Sequence, residues 1–93
     1  MMYHVKFTSA YKKSYKRARK RGWNLQLLDD VVEKLRLGKK LEERYADHEL
    51  RGNWAGFREC HIQPDWLLIY LIEGDVLTLT LTDTGTHADL FAK

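Results

Sequence analysis

Three histidines, His48, His61 and His87, are the residues of this chain best suited to move protons. Histidine alone exchanges its proton near neutral pH without special tuning, at about 6.5. In the stretch CHIQPDW (Cys60 to Trp66), His61 ends one apolar run. Pro64 and Asp65 then turn the chain, and Trp66 opens its most apolar run, WLLIYLI. A hairpin turn needs the proline but has no need of the histidine or the tryptophan. The three histidines fall just before the second of the expected strands, at its end, and just after the last strand. Strand ends of a compact hairpin sheet can meet, so the pattern allows all three to converge with Asp65. His4, on the first strand, reads as a surface or satisfied core residue.

Three histidines and a carboxylate are also a plausible zinc set. The spacing gives that little support, because the chain has no HExxH, no CxxC and no HxH pair. No metal or other cofactor is expected. Along the strand, Phe57, Glu59 and His61 share one face, while Arg58, Cys60 and Ile62 share the other. Cys60 and Ile62 suit a helix-covered core, which places Glu59 and His61 on the open face. Arg58 has the wrong parity for the site and reads as an edge residue or a structural ion pair. Cys60, the lone cysteine, reads as a small buried hydrophobe. With no internal disulfide available, a reducing cytoplasm is the natural setting.

The elements that position these residues follow from pattern. Ninety-three residues make one domain, 1–93. No apolar run approaches the ~20 residues of a membrane span, and the N-terminus does not read as a signal peptide. Tyr3 to Thr8 reads as a strand. Ser9 is the expected N-cap of a helix from Ala10 to Arg21, with Tyr11, Tyr15 and Ala18 on one stripe. Lys12, Lys13, Lys16, Arg17, Arg19 and Lys20 share the opposite arc. Gly22 ends it. Asn24 caps a second helix with an apolar stripe of Leu25, Leu28, Val31, Val32 and Leu35, closed by Gly38. A polar connection follows over 39–47. Strands are predicted over 57–62, 66–72 and 76–82, with a turn at 73–75 and a final short turn at 87–91. The class is α+β. Its order is βααβββ, with two helices on one face of a mostly antiparallel four-stranded sheet.

Residues 1–21 hold eight Lys or Arg and no acid, within a net charge of +3. A segment so polarised suggests an anionic partner. Lys12, Lys13, Lys16, Arg17 and Lys20 are the candidate RNA-binding cations.

The stretch DHELRGNWAGFRECHIQPDWLLIY, followed by TGTHADLF, resembles the YafQ group of bacterial toxins in the RelE/ParE superfamily. The motifs run from Asp47 to Phe91. The resemblance implies the toxin of a type II toxin–antitoxin pair, an endoribonuclease that enters the ribosomal A site and cleaves mRNA. It implies a RelE-like fold and a neutralising antitoxin, usually encoded beside the toxin. The family's catalytic histidines match His48, His61 and His87, and its site carboxylate matches Asp65. Trp66 and Phe91 match aromatics near the RNA. Some members have an arginine just before the final TG; here that position is Asp83, so its phosphate role does not transfer.

On this basis, the 2′-hydroxyl attacks the adjacent phosphate with acid–base help. His87 is the general acid. His61 and Asp65 form the base side, with Asp65 either accepting the proton or orienting the imidazole. His48 stabilises charge or positions the phosphate. Trp66 either stacks on a base or caps the hairpin from the core, and Phe91 either lies near the RNA or anchors the C-terminal segment. Asp83 either faces the site beside His87 or caps the Thr84-Gly85 turn. A non-catalytic toxin of the same fold and a simple RNA-binding module are the competing classes. The His48/His61/Asp65/His87 set favours the nuclease.

Overall fold

The computed structural model describes residues 2–74 and 78–91. The elements are β1 (His4–Phe7), α1 (Ser9–Lys20), α2 (Leu25–Arg36), β2 (His48–Glu49), β3 (Arg58–Gln63), β4 (Trp66–Glu73), β5 (Thr78–Gly85) and α3 (His87–Phe91). Short 3-10 turns occur at Glu43–Tyr45 and Gly52–Trp54. The strands form one mixed sheet in the order β1-β5-β4-β3-β2. β1 runs parallel to β5, and the other neighbours are antiparallel.

This corrects the expected four-stranded βααβββ sheet. The connection before β3 contributes β2, a two-residue strand too short to show any alternation. Residues 87–91 also form the short helix α3 rather than a turn. Asp75 of the predicted turn, and Val76 and Leu77 of the predicted strand, lie outside the described residues.

α1 is capped by Thr8, one residue before the expected Ser9. The Thr8 hydroxyl accepts from the Tyr11 N–H at 3.0 Å and itself donates to the Thr82 carbonyl at 2.6 Å. The cap therefore also ties α1 to β5. Asn24 caps α2 as expected, accepting from the Gln26 N–H at 3.2 Å. Gly22 and Gly38 end the helices at φ +78° and +73°, a conformation that glycine adopts without a Cβ penalty.

Tyr11 and Ala18 of α1 join Leu28, Val31 and Leu35 of α2 in the core. They pack against Cys60, Ile62, Trp66, Leu68, Tyr70, Leu79 and Leu81. Each such leucine contributes roughly 1.5–3 kcal/mol. Burial raises the Cys60 thiol's pKa, as suits an inert packing residue. The other sheet face is not bare. Leu67 and Ile69 pair directly with His61 and Glu59 across β3 and β4, and both are fully buried.

A register shift at Ile69/Tyr70 bulges β5 between Leu81 and Asp83. The bulge breaks simple alternation there. Asp83 accepts from the Ser14 hydroxyl of α1 at 2.5 Å and from the Thr84 N–H at 2.8 Å. Asp83 therefore fastens α1 to β5 and is committed to the helix side.

Candidate active site

His48 stands at the start of β2, held from two sides. Just before it, Asp47 accepts from the Tyr70 hydroxyl at 2.5 Å and from Arg58 Nε at 3.3 Å. Arg58 is thus the structural ion pair that its parity suggested, reaching Glu49 as well, at 3.6 Å. Ala46 adopts a left-handed φ of +48°, unusual for a non-glycine residue. Its carbonyl lies 2.7 Å from His48 Nδ1.

β2 pairs His48 directly with Glu59 on β3. Glu59 is buried, and its Oε1 lies 3.6 Å from His48 Nε2 and 3.3 Å from His61 Nε2. One carboxylate oxygen is shared between two imidazoles. Glu59 was placed on the right face by its parity with His61, but no chemical role was read for it. The i,i+2 spacing with His61 was the available signal.

The His61 ring meets the His87 ring edge to face, with centroids 5.8 Å apart. His87 opens α3, immediately after β5, and its Nδ1 lies 2.6 Å from Asp65 Oδ1. The same oxygen accepts the His87 backbone N–H at 2.9 Å. That N–H, then the ring, lowers the Asp65 carboxyl below the usual carboxylate value of 3.8. Asp65 is therefore an anion at neutral pH, poorly suited to accept a proton. The expected pairing of Asp65 with His61 is corrected: Asp65 sits on His87, and Glu59 sits on His61.

The four predicted residues His48, His61, Asp65 and His87 thus lie in one contiguous run of contacts, with Glu59 inserted. His48 Nδ1 is hydrogen-bonded at the Ala46 carbonyl and its Nε2 faces Glu59 at 3.6 Å, an ion-pair contact of the charged ring, whereas His61 keeps Nδ1 and His87 keeps Nε2 without a protein partner among the described residues. Among the described residues, no three His, Cys, Asp or Glu side chains are placed to hold one metal ion.

Trp66 does not join them. Its ring is 2% exposed, lies against Trp23 at 4.9 Å, and donates from Nε1 to the Thr84 hydroxyl at 3.0 Å. A ring enclosed in the helix-covered core has no face for a nucleobase, so the stacking role is corrected to a packing one. Phe91 is half-buried, edge-on to Trp54 at 6.1 Å, and Trp54 in turn meets Phe57 at 5.5 Å. Lys12, Lys13, Lys16 and Lys20 are exposed on α1. Arg17 leaves that arc: its Nη2 turns towards the Thr84 carbonyl at 3.5 Å and Asp89 at 3.6 Å.

A model of the family described as bacterial toxin of type II toxin–antitoxin system, YafQ, matches residues 3–92. The chain belongs to the YafQ toxin family. The mRNA interferase toxin YafQ of Escherichia coli strain K12 is 36% identical over 88 residues, 94% of each chain. The E. coli DinJ–YafQ toxin–antitoxin complex contains a chain that superposes with a TM-score of 0.89 at 35% identity. The match covers 98% of this chain and 99% of that one. A metal-bound toxin from Helicobacter pylori superposes at 0.90 with 38% identity, covering 98% and 100%. No helix among the described residues of this YafQ-family chain is long and apolar enough to cross a membrane.

Proposed function

We propose that this toxin is a ribosome-dependent endoribonuclease that cuts mRNA in the A site by acid–base catalysis. The supporting observation is the unbroken run His48–Glu59–His61–His87–Asp65 at one end of the sheet. The 2′-hydroxyl oxygen attacks the adjacent phosphorus and gives its proton to a base. The bond to the 5′-oxygen breaks, and that oxygen takes a proton from an acid. The products are a 2′,3′-cyclic phosphate and a 5′-hydroxyl. His87 offers Nε2 as the acid, with Asp65 fixing Nδ1–H and supporting the charged ring. His61 offers Nδ1 as the base, oriented by Glu59. His48, fixed at Nδ1 by the Ala46 carbonyl and with Nε2 facing the Glu59 carboxylate, suits charge stabilisation at the phosphate better than proton transfer. Each acid or base group typically contributes about 10²–10⁴-fold.

The exposed lysines of α1 would meet ribosomal RNA phosphates without sequence preference. An antitoxin would hold the toxin inactive in the cytoplasm until released; the E. coli relative crystallised with DinJ supports such a partner. The chemistry needs no metal. Because a Helicobacter relative is described as metal-bound, that point goes to experiment directly.

Primer extension on mRNA held in translating ribosomes tests the proposal. Discrete stops are expected with the toxin, and they should persist under a chelator that strips zinc and copper but leaves the ribosomes' Mg²⁺. Translation arrest without stops would identify a non-catalytic binder. Stops that vanish with the chelator and return only on adding Zn²⁺ or Cu²⁺ would overturn the metal-free mechanism.

A further inference from the structure

α3 has five residues, His87 to Phe91. A helix so short has no stability of its own. Its position, and that of His87, is set by whatever grips it. Asp89 lies two residues after His87, about 200° further round the helix, so the two side chains leave opposite sides. His87 points to Asp65 and His61. Asp89 points to α1.

The grip on Asp89 is dense. Arg21 donates from Nη1 to Oδ2 at 2.7 Å and from Nη2 to Oδ1 at 3.1 Å, a parallel pair of bonds. Arg17 Nη2 lies 3.6 Å from Oδ2. The same carboxylate accepts the Thr86 N–H at 2.9 Å, and the Thr86 hydroxyl accepts the Asp89 N–H at 3.0 Å. That reciprocal pair is a capping box at the start of α3. The Asp89 side chain is only 15% exposed. Gly85 leaves room for it: a Cβ there would fall 2.8 Å from Asp89 Oδ2 and 3.0 Å from Arg17 Nη2. The same Arg21 guanidinium lies over the Trp23 ring, its Cζ 5.1 Å from the centroid, so it is itself braced against the core.

We propose that Arg21 and Asp89 form a clamp that positions His87, tying the one-turn helix that bears it to the first helix of the fold. Both are positioning residues, and among the described residues no hydrogen bond or ion pair joins either side chain to the histidines. The inference rests on the reading of His87 as the proton donor. A rival use of the same residues is that Arg17 and Arg21 bind RNA phosphate and Asp89 merely masks them.

The test is a double-mutant cycle. Asp89→Asn is made in the wild-type and in the His87→Ala protein, and single-turnover cleavage of ribosome-bound mRNA is measured with the folded fraction followed by thermal unfolding. Asp89→Asn should slow the wild-type rate about 10–100-fold with unchanged half-saturation by ribosomes, since small misplacements are costly. His87→Ala should lose about 10²-fold or more, and Asp89→Asn should then remove little further activity. Arg21→Lys keeps the charge but not the paired bonds, and serves the same cycle should Asp89→Asn fold poorly. Equal losses in both backgrounds would make the clamp a general structural brace and overturn the proposal. An unchanged rate, or tighter ribosome binding, would also overturn it. Full activity of His87→Ala would instead remove the role of His87, and the clamp's purpose with it.

Discussion

Substituting Trp66→Phe should destabilise this toxin rather than disable its chemistry. Trp66 donates to the Thr84 hydroxyl at 3.0 Å, and Thr84 still donates to the Leu67 carbonyl at 2.6 Å without it. Losing the one bond costs about 1 kcal/mol. Removing a whole buried aromatic side chain costs about 3–5 kcal/mol, and phenylalanine keeps one of the two rings, leaving a packing loss of ~1–2 kcal/mol. The total is ~2–3 kcal/mol. For a chain of this size each kcal/mol lowers Tm by about 4–8 °C, so a drop of about 8–24 °C is expected. Thermal unfolding by circular dichroism measures it. Cleavage on programmed ribosomes, assayed well below both midpoints, should stay within about twofold per folded molecule. An unchanged Tm with a tenfold slower cleavage would refute the packing role and return Trp66 to the RNA.

Glu59→Gln should lower the cleavage rate by about 10-fold or more without weakening ribosome binding, because the amide keeps an acceptor oxygen but loses the negative charge that supports the His48 and His61 rings; stopped single-turnover reactions would show it. For Asp65 the sign follows from a folded pKa below the ordinary value. Its contribution is complete above 3.8 and is lost only as pH falls below that value, so urea unfolding of Asp65→Asn and of the parent should differ at pH 7 and converge in strong acid. Asp65→Asn should also slow cleavage at neutral pH without moving ribosome affinity. Reversing Lys13 and Lys16 to Glu should weaken ribosome association and reduce the log–log salt slope by roughly 0.7–0.9 per lost phosphate contact, measured by filter binding over a salt series.

Much of the site was legible because strand parity is a strong constraint. Cys60 and Ile62 fixed the core side of β3 and so placed Glu59 and His61 opposite. Strand ends alone allowed His48, His61 and His87 to converge, and the family motif singled them out. What escaped depends on pairing register and short contacts. β2 has two residues, too few to alternate, and without it the His48–Glu59 pairing is invisible. The bulge in β5 sends Asp83 to Ser14, which no periodicity reveals. Trp66 sits where WLLIYLI is apolar on both faces, so parity could not say which face was closed. Thr8 and Ser9 are adjacent hydroxyls with equal claims as a cap, and only the Tyr11 N–H chooses between them. Arg17 shares the basic arc on a helical wheel, yet the partners it turns to, Thr84 and Asp89, are 67 and 72 positions away in sequence and cannot be read from α1 alone.

The central claim is that the RNA's own 2′-hydroxyl is the nucleophile, with protein side chains moving both protons. It is tested most directly with an mRNA bearing one 2′-deoxy nucleotide immediately 5′ of the scissile bond, presented on a programmed ribosome. The deoxy message should bind the toxin–ribosome complex normally and remain uncut, while the all-ribose message yields a 2′,3′-cyclic phosphate and a 5′-hydroxyl. Cleavage of the deoxy message at the ribose rate would mean that water attacks instead and would contradict the mechanism.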